Sequence, residues 1–344
     1  MRTADPSPGR PPARSNLLGL PRRRLAEVLA PWIDRPFRLE QIYRALYRRG
    51  VSDFAAMTDL SRELRDALAE RFSLERPAVI HRHRSADGTV KLLFRLADGK
   101  TVEAVDIPDG RRRTLCLSSQ AGCALGCRFC VTGYWGAGRN LTAGEIVAQV
   151  LAAGSDAAPG LAQPGLNLVF MGMGEPLLNL DHLRDALDVL CEHLSWRRIT
   201  VSTAGVIPGI ETLARWPARP RLAISLHAPD DERRSALMPI NRTYPLADLM
   251  AVLRRYPLGA RERLTFEYVL IDGVNDALAD AGAVADLLRG LRAKVNLITV
   301  NPDPVLGDAM RPPPATRVAA FQQRLRRRGL LATVRRRRGD DVSA

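Results

Sequence analysis

Gln120-Ala-Gly-Cys123-Ala-Leu-Gly-Cys127-Arg-Phe-Cys130 places three cysteines within eight residues, in the spacing CxxxCxxC. Thiolates are the usual protein ligands of a [4Fe–4S] cluster, one to each iron. Three closely spaced cysteines leave one iron without a protein ligand, free to chelate a small molecule through amino and carboxylate groups. Two other readings stay open for these residues alone: a zinc site with Cys116 as fourth ligand, and a chance cluster. Cysteine usage narrows the setting. Four of the five cysteines fall between 116 and 130. That is no disulfide framework, and it suits a reducing compartment where thiolates stay available to metal.

Outward from this stretch, strand and helix patterns alternate to the end of the chain. Short apolar runs at 113–119, 166–171, 198–203, 221–226, 264–270 and 294–300 read as strands. Helical periodicity falls near 142–153, 180–194, 208–216, 245–256, 278–291 and 314–328. Six such units imply a parallel sheet with crossover helices, and their residue count suits a partial (β/α)6 barrel of TIM-like type better than a closed eight-unit one. On the N-terminal side, 78–106 alternates with period two around Asp87-Gly88 and Asp98-Gly99, which reads as a β-hairpin extension. Residues 21–73 read as a small helical domain, with Ser61 as an N-cap.

In barrels of this kind chemistry gathers at the C-terminal ends of the strands, and the unusual residues fall there. The cysteine loop follows the first strand and Met171-Gly-Met-Gly-Glu-Pro176 the second. Ser202-Thr203 ends the third, Ser225-Leu-His227 the fourth, and Asn301-Pro302 follows the sixth. Gly172 and Gly174 let backbone approach a ligand closely. Glu175 can accept from an amino group, or serve as a carboxylate at a helix N-terminus. Ser202, Ser225, His227 and Asn301 suit ribose hydroxyls, a carboxylate and an adenine edge; singly, each is as ordinary as a turn or cap residue. Cys116, on the first strand, reads either as a small buried apolar residue or as a group pointing into the barrel. Glu103 sits among alternating valines and reads as solvent-facing on pattern alone. Cys191 shares a helical face with Leu183, Leu187 and Leu194 and reads as core.

Composition sets the partner class. The chain has 344 residues, 46% of them hydrophobic, and 51 Lys+Arg against 37 Asp+Glu for a net charge of +14. An arginine-biased coding composition accounts for Arg over Lys, the only lysines being Lys91, Lys100 and Lys294. It does not account for the surplus over acids, which points to a polyanion. The Arg runs at 111–113 and 335–338 flank the core and could meet phosphates or form solvated faces. No apolar run is long enough for a membrane span. Met1 to Ser15 is rich in Pro, Arg and Ser and lacks a signal-peptide core. A cytoplasmic protein is expected.

The residues around the cysteines resemble the radical-SAM superfamily, and the longer pattern resembles the RlmN/Cfr family of radical-SAM RNA methyltransferases. The likeness runs from about 17 to 343. It rests on Pro36-Phe-Arg-Leu-Glu-Gln41, Met57-Thr-Asp-Leu60, Leu115-Cys-Leu-Ser-Ser-Gln120, Arg139-Asn-Leu-Thr142, Met171-Gly-Met-Gly-Glu-Pro176, Ser202-Thr-Ala-Gly205, Ser225-Leu-His-Ala228 and Val295-Asn-Leu297. The resemblance implies methylation of an adenine carbon, C2 favoured over C8, in 23S rRNA, tRNA or both. It implies a [4Fe–4S] cluster on Cys123, Cys127 and Cys130, S-adenosylmethionine (SAM) at Gly174, Glu175, Ser202, Ser225, Leu226, His227 and Asn301, a reductant such as flavodoxin or ferredoxin, and a monomer. In the family, one SAM methylates a cysteine near the C-terminus. Cleavage of a second gives an adenosyl radical that takes hydrogen from that methyl group, and the resulting methylene radical adds to adenine. A second cysteine, matched by Cys116, helps resolve the adduct, and Glu103 matches the family's acid/base. The implied divisions are a disordered tail over 1–16, an RNA-binding helical domain over 17–75, a hairpin linker over 76–110, a radical-SAM core over 111–335 and a C-terminal segment over 336–344.

The likeness fails at one place. Val334-Arg-Arg-Arg-Arg-Gly-Asp-Asp341-Val-Ser-Ala344 begins the family's C-terminal motif, which there continues into an Ala-Cys-Gly-Gln segment with the methyl-bearing cysteine. No cysteine follows Cys191 in this sequence, so a polypeptide of these residues is expected to be inactive in methylation. A truncation, a divergent reaction on RNA, and substitution by Cys191 are the three explanations, the last disfavoured by its apolar face. The rival readings are a non-catalytic RNA-binding Fe–S protein and a radical-SAM enzyme with a non-RNA substrate. The SAM-contact set argues against the first, and the helical module with the basic surplus against the second.

Overall fold

A computed structural model describes residues 14–154 and 160–342. The chain enters through Ser15–Asn16 (β1) and three helices, Arg22–Leu29 (α1), Pro36–Tyr47 (α2) and Arg62–Arg71 (α3), before Phe72–Ser73 (β2) returns to pair in parallel with β1. Paired structure thus begins at Ser15, inside the stretch expected as a tail; residues 1–13 of that stretch lie outside the described residues. Pro36 starts α2 where a missing N–H costs nothing. The Ser61 side chain accepts from Leu64 N at 3.3 Å, the cap expected for α3. Leu25, Leu29, Ile42, Tyr43, Leu46 and Leu68 bury the apolar stripes of these helices against one another.

Ala78–Arg84 (β3), Val90–Arg95 (β4) and Thr101–Asp109 (β5) form an antiparallel meander. Gly88 and Gly99 turn it at φ of 85° and 83°. The meander continues without a break into the barrel, because β5 pairs antiparallel with the first barrel strand, Arg112–Cys116 (β6), Val105 opposite Cys116. Gln120–Ala121 (β7) and Arg139–Asn140 (β8) then pair with each other across the cysteine loop. After Ala143–Ala152 (α4), strands and helices alternate: Leu166–Phe170 (β9), Leu180–Leu190 (α5), Ile199–Thr203 (β10), Ile207–Ala214 (α6) and Arg221–Ser225 (β11). Asp231–Leu237 (α7), Leu246–Arg255 (α8), Leu264–Leu270 (β12), Leu278–Leu287 (α9), Ala293–Thr299 (β13), Ala315–Arg327 (α10) and Leu331–Val334 (β14) complete the chain.

All ten long strands form one open sheet in the order β14-β13-β12-β11-β10-β9-β6-β5-β4-β3, parallel from β6 to β14. The six expected strands are all present. β14 and α7 add to the expectation. β14 buries only Ala332 and so carries no alternation to read; α7 is a short, mostly charged run.

The parallel strands divide their side chains sharply. Leu168, Phe170, Val201, Ile224, Phe266 and Val295 are buried on the side packed by the helices, each worth about 1.5–3 kcal/mol against exposure. Alternate residues such as Thr114, Thr200, Glu267, Lys294 and Asn296 line a lumen of about 550 Å³. The apolar core therefore lies between sheet and helices, and the concave face is left for ligands. The helical module is welded to this core at glycine: a Cβ on Gly19 (φ 86°) would lie 2.1 Å from Gly144 N in α4. Among the described residues, no helix is long and apolar enough to cross a membrane.

Candidate active site

The cysteine loop is closed at its base by the β7–β8 pair, with Gln120 opposite Asn140. Gly138 makes this closure possible; at φ 55° a Cβ there would fall 1.4 Å from Ala121 O. Inside the loop, Cys123 N donates to Gly136 O (2.8 Å), Cys130 N to Cys127 O (3.1 Å) and Arg128 N to Leu237 O (2.9 Å). Burial raises the Cys123 thiol and pushes Cys127 up to about 12, and each is raised further by repulsion from a neighbouring thiol. Two thiols raised by burial beside a third sulfur suit a cationic core spread over several irons, which would favour their deprotonation. Among the described residues, no three His, Cys, Asp or Glu side chains are grouped as ligands of a single ion.

The Met171–Pro176 turn lies against the loop base. Gly174 has φ 94°, and a Cβ there would meet Gln120 Cβ at 2.4 Å. Gln120 Oε1 accepts from Glu175 N at 2.8 Å. Glu175 is buried; Oε1 accepts from Leu177 N (3.0 Å) and Oε2 from Ala204 N (2.7 Å). It caps a 3₁₀ turn over Pro176–Leu178, so the helix-terminus reading holds, while each oxygen keeps a lone pair for a ligand. Burial pushes its carboxyl up to about 7 despite these bonds.

Ser202, next to last in β10, and Ser225, last in β11, fall on the lumen side, Ser202 beside Ala223 and Ser225 beside Glu267. Leu226 is buried and its N–H donates to Glu267 O at 3.0 Å. His227 adopts φ 58°, a left-handed conformation costly for a non-glycine residue. It is over-determined there: Nδ1 accepts from Val269 N (3.0 Å), its carbonyl accepts from Asn275 Nδ2 (2.7 Å), and Phe129 packs edge-on to the ring. An accepting Nδ1 leaves the proton on Nε2. Burial, with Arg234 adding to it, holds the ring down to about 3, so it is neutral.

Glu103, Cys116, Cys130 and Asn301 line one cavity of about 310 Å³, with Arg335–Arg338 along its edge. Cys116 is the last residue of β6; burial raises its thiol, while Arg335 and the Met171 backbone pull it back. Glu103 is half-buried on β5, its Oε1 3.5 Å from Lys91 Nζ. Gly174, Glu175, Ser202, Ser225, Leu226 and His227 stand outside that cavity's lining. Cys191 lies apart at the end of α5, partly buried on the core.

Three further residues were given no role from the sequence, although Ser118 lies within the Leu115–Gln120 motif. Ser118 Oγ donates to Glu103 O (2.6 Å) and accepts from Met173 N (3.0 Å), joining the meander to the glycine turn. Lys91 reaches Glu103 diagonally across β4 and β5, where Leu93 is the direct partner; its rarity in an arginine-rich chain was the one available hint. Arg234, on α7, is fully buried beneath the ends of β10 and β11. The C-terminal segment leaves β14, lines the cavity with Arg335–Arg338, and docks on the β3–β4 turn through Gly339 N to Asp87 Oδ2 and Ala86 N to Asp341 Oδ2, both 3.1 Å.

The sequence is similar to known families along nearly its whole length. The Radical SAM superfamily model matches residues 117–281, and the model of the ribosomal RNA large subunit methyltransferase N-terminal domain matches 15–74. A protein of Anaeromyxobacter sp. (strain Fw109-5) named dual-specificity RNA methyltransferase RlmN is 47% identical, over 99% of this chain and 92% of its own. A protein of the same name from Syntrophobacter fumaroxidans is 48% identical over 92% and 93%. The crystal structure of a radical SAM methyltransferase from Sphaerobacter thermophilus superposes with a TM-score of 0.90 at 45% identity, covering 96% of this chain and 97% of that one.

Proposed function

This chain belongs to the RlmN family of SAM-dependent radical-SAM RNA methyltransferases, whose cofactors are a [4Fe–4S] cluster and SAM, and from that footing we propose that its site serves methylation of an adenine carbon, C2 favoured over C8, in 23S rRNA, tRNA or both, with the methyl carried on a cysteine that residues 1–344 do not include. The observation that carries this reading is the shared cavity of Glu103, Cys116 and Cys130, which sets an acid/base and a thiol beside a cluster ligand. When bound, the cluster supplies the electron that cleaves SAM to an adenosyl radical.

The chain's residues have distinct parts in this reading. Cys123, Cys127 and Cys130 hold the cluster. Gly174, Glu175, Ser202, Ser225, Leu226, His227 and Asn301 hold SAM, with His227 offering Nε2–H as a donor. Glu103 receives or returns the proton at the adenine carbon, and its half-exposed setting beside Lys91 keeps it in exchange with water. Cys116 stays a thiol until the adduct is resolved. Arg335–Arg338 meet RNA phosphate at the rim. A flavodoxin or ferredoxin as reductant, a monomeric state and a cytoplasmic setting complete the proposal.

The test uses two polypeptides, residues 1–344 and the same chain extended by Ala-Cys-Gly-Gln. After anaerobic reconstitution both are expected to show a reduced-cluster EPR spectrum that shifts with SAM, and to release 5′-deoxyadenosine. Only the extended chain is expected to yield 2-methyladenine by mass spectrometry of RNA. Methyladenine from the 1–344 polypeptide would overturn the carrier argument. A cluster blind to SAM would move the reading to an RNA-binding Fe–S protein.

A further inference from the structure

Arg234 is fully buried, yet it sits on a short, charged helix. Its guanidinium donates from Nε to Leu226 O (3.2 Å), from Nη1 to Asn241 Oδ1 (2.6 Å), and from Nη2 to Ala204 O (2.7 Å) and Ser225 O (2.9 Å). One rigid fork thus joins the ends of β10 and β11, where the proposed SAM residues stand. The same helix grips the cysteine loop. Leu237 O accepts from Arg128 N at 2.9 Å, and Leu237 and Met238 pack with Leu125, Cys127 and Phe129. α7 therefore touches both halves of the site.

The charge on this side chain has no local answer. All four of its partners are neutral oxygens, and among the described residues no carboxylate is ion-paired with it. Asp231 lies within electrostatic reach but not in contact, and is joined to the fork through Asn241, whose Nδ2 donates to Asp231 Oδ1 at 2.8 Å. A buried cation without a bonded counter-ion is costly. The thiolate set is the other anionic group in reach, because Cys127 packs with Leu237 and Met238 at the end of Arg234's own helix. A cluster held by three thiolates is anionic and gains a further negative charge on reduction.

We propose that Arg234 is a positioning residue with two actions: its fork fixes the cysteine loop in register with the strand ends that receive SAM, and its buried charge balances the cluster and raises the reduction potential. The inference rests on the cluster-and-SAM reading above. Removing the positive charge disfavours adding an electron, so the potential falls. Replacing the guanidinium by an ammonium keeps the charge and loses the fork.

The experiment compares wild type, Arg234→Gln and Arg234→Lys as full chains, with circular dichroism of the apoproteins, EPR-monitored redox titration after reconstitution, and SAM titration of the EPR shift. Arg234→Gln is expected to favour the oxidised cluster about tenfold, a potential about 59 mV more negative. Arg234→Lys is expected to stay within about threefold of wild type in that equilibrium, and to need about tenfold more SAM for the half-maximal shift. If Gln prevents folding, the Lys variant decides: a retained potential with a weakened SAM response supports the proposal, and an unchanged SAM response overturns it. Variants that both match wild type, or that both fail to fold, also overturn it, the latter making Arg234 a folding residue alone. A wild-type cluster blind to SAM would instead sink the functional reading on which the inference stands.

Discussion

On the cysteine side of the cavity the holding contacts are backbone hydrogen bonds and buried side chains: the β7–β8 pair, Glu175 on two N–H groups, His227 locked in a left-handed turn. Across from it, on β4–β6, they are ion pairs between partly buried side chains, Lys91 with Glu103 and Arg113 with Asp106. The β7–β8 pair apart, both sides are carried by one sheet and differ in what surrounds them. Buried, mutually bonded groups hold geometry to within fractions of an ångström, which suits the cluster-and-SAM role proposed for that side. Charged pairs that line a cavity stay within reach of a substrate, which suits the acid/base role proposed for Glu103.

The largest expected effect breaks one side and spares the other. Cys127→Ala should abolish the iron–sulfur absorbance of reconstituted protein and SAM cleavage with it. Glu103→Gln should keep the cluster and 5′-deoxyadenosine release while methylation by the Ala-Cys-Gly-Gln-extended chain falls about 10²–10⁴-fold; loss of iron in that variant would show that the sides are not separable.

A pH experiment sharpens the contrast further. His227 is held neutral by burial, its folded value near 3 against an unfolded value near 6.5. As pH falls below about 6.5 the unfolded chain takes a proton that the folded chain refuses, so stability is lost down to about pH 3. His227→Asn, whose side chain tolerates a left-handed turn, should remove that slope. The wild-type apoprotein should lose about 3 kcal/mol more than the variant between pH 6.5 and pH 4 in urea denaturation. Equal slopes would mean that the ring is less enclosed than the structure has it. The smallest effect belongs to the ion-paired side: Lys91→Met leaves the partly exposed Glu103 without its partner and should lower stability by about 1 kcal/mol in urea denaturation.

Six of the seven parallel strands were legible because each alternates an apolar row with a lumen row, and the cysteine loop because its spacing is itself the chemistry. β14 was not legible, since its partner β13 lies more than thirty residues upstream and only Ala332 is buried. The expected boundary between linker and core at 110 cuts through the β5–β6 ladder, where Asp109 pairs with Arg112; composition changes there, but hydrogen bonding does not. Ser118 and Lys91 act through partners that only the folded sheet brings near. Arg234 is one arginine in a chain full of them, and its burial is a tertiary fact with no local signature. The absence of a cysteine after Cys191 was plain in the sequence, whereas the docking of the preceding segment on Asp87 was not.

β7 and β8 close the cysteine loop with the protein's own hydrogen bonds, and Gly138 stands where any Cβ would meet Ala121 O at 1.4 Å. The consequence is for tolerance to mutation. Even Gly138→Ala has to part the two short strands, so the spacing of Cys123, Cys127 and Cys130 can be lost by a change that touches no cysteine.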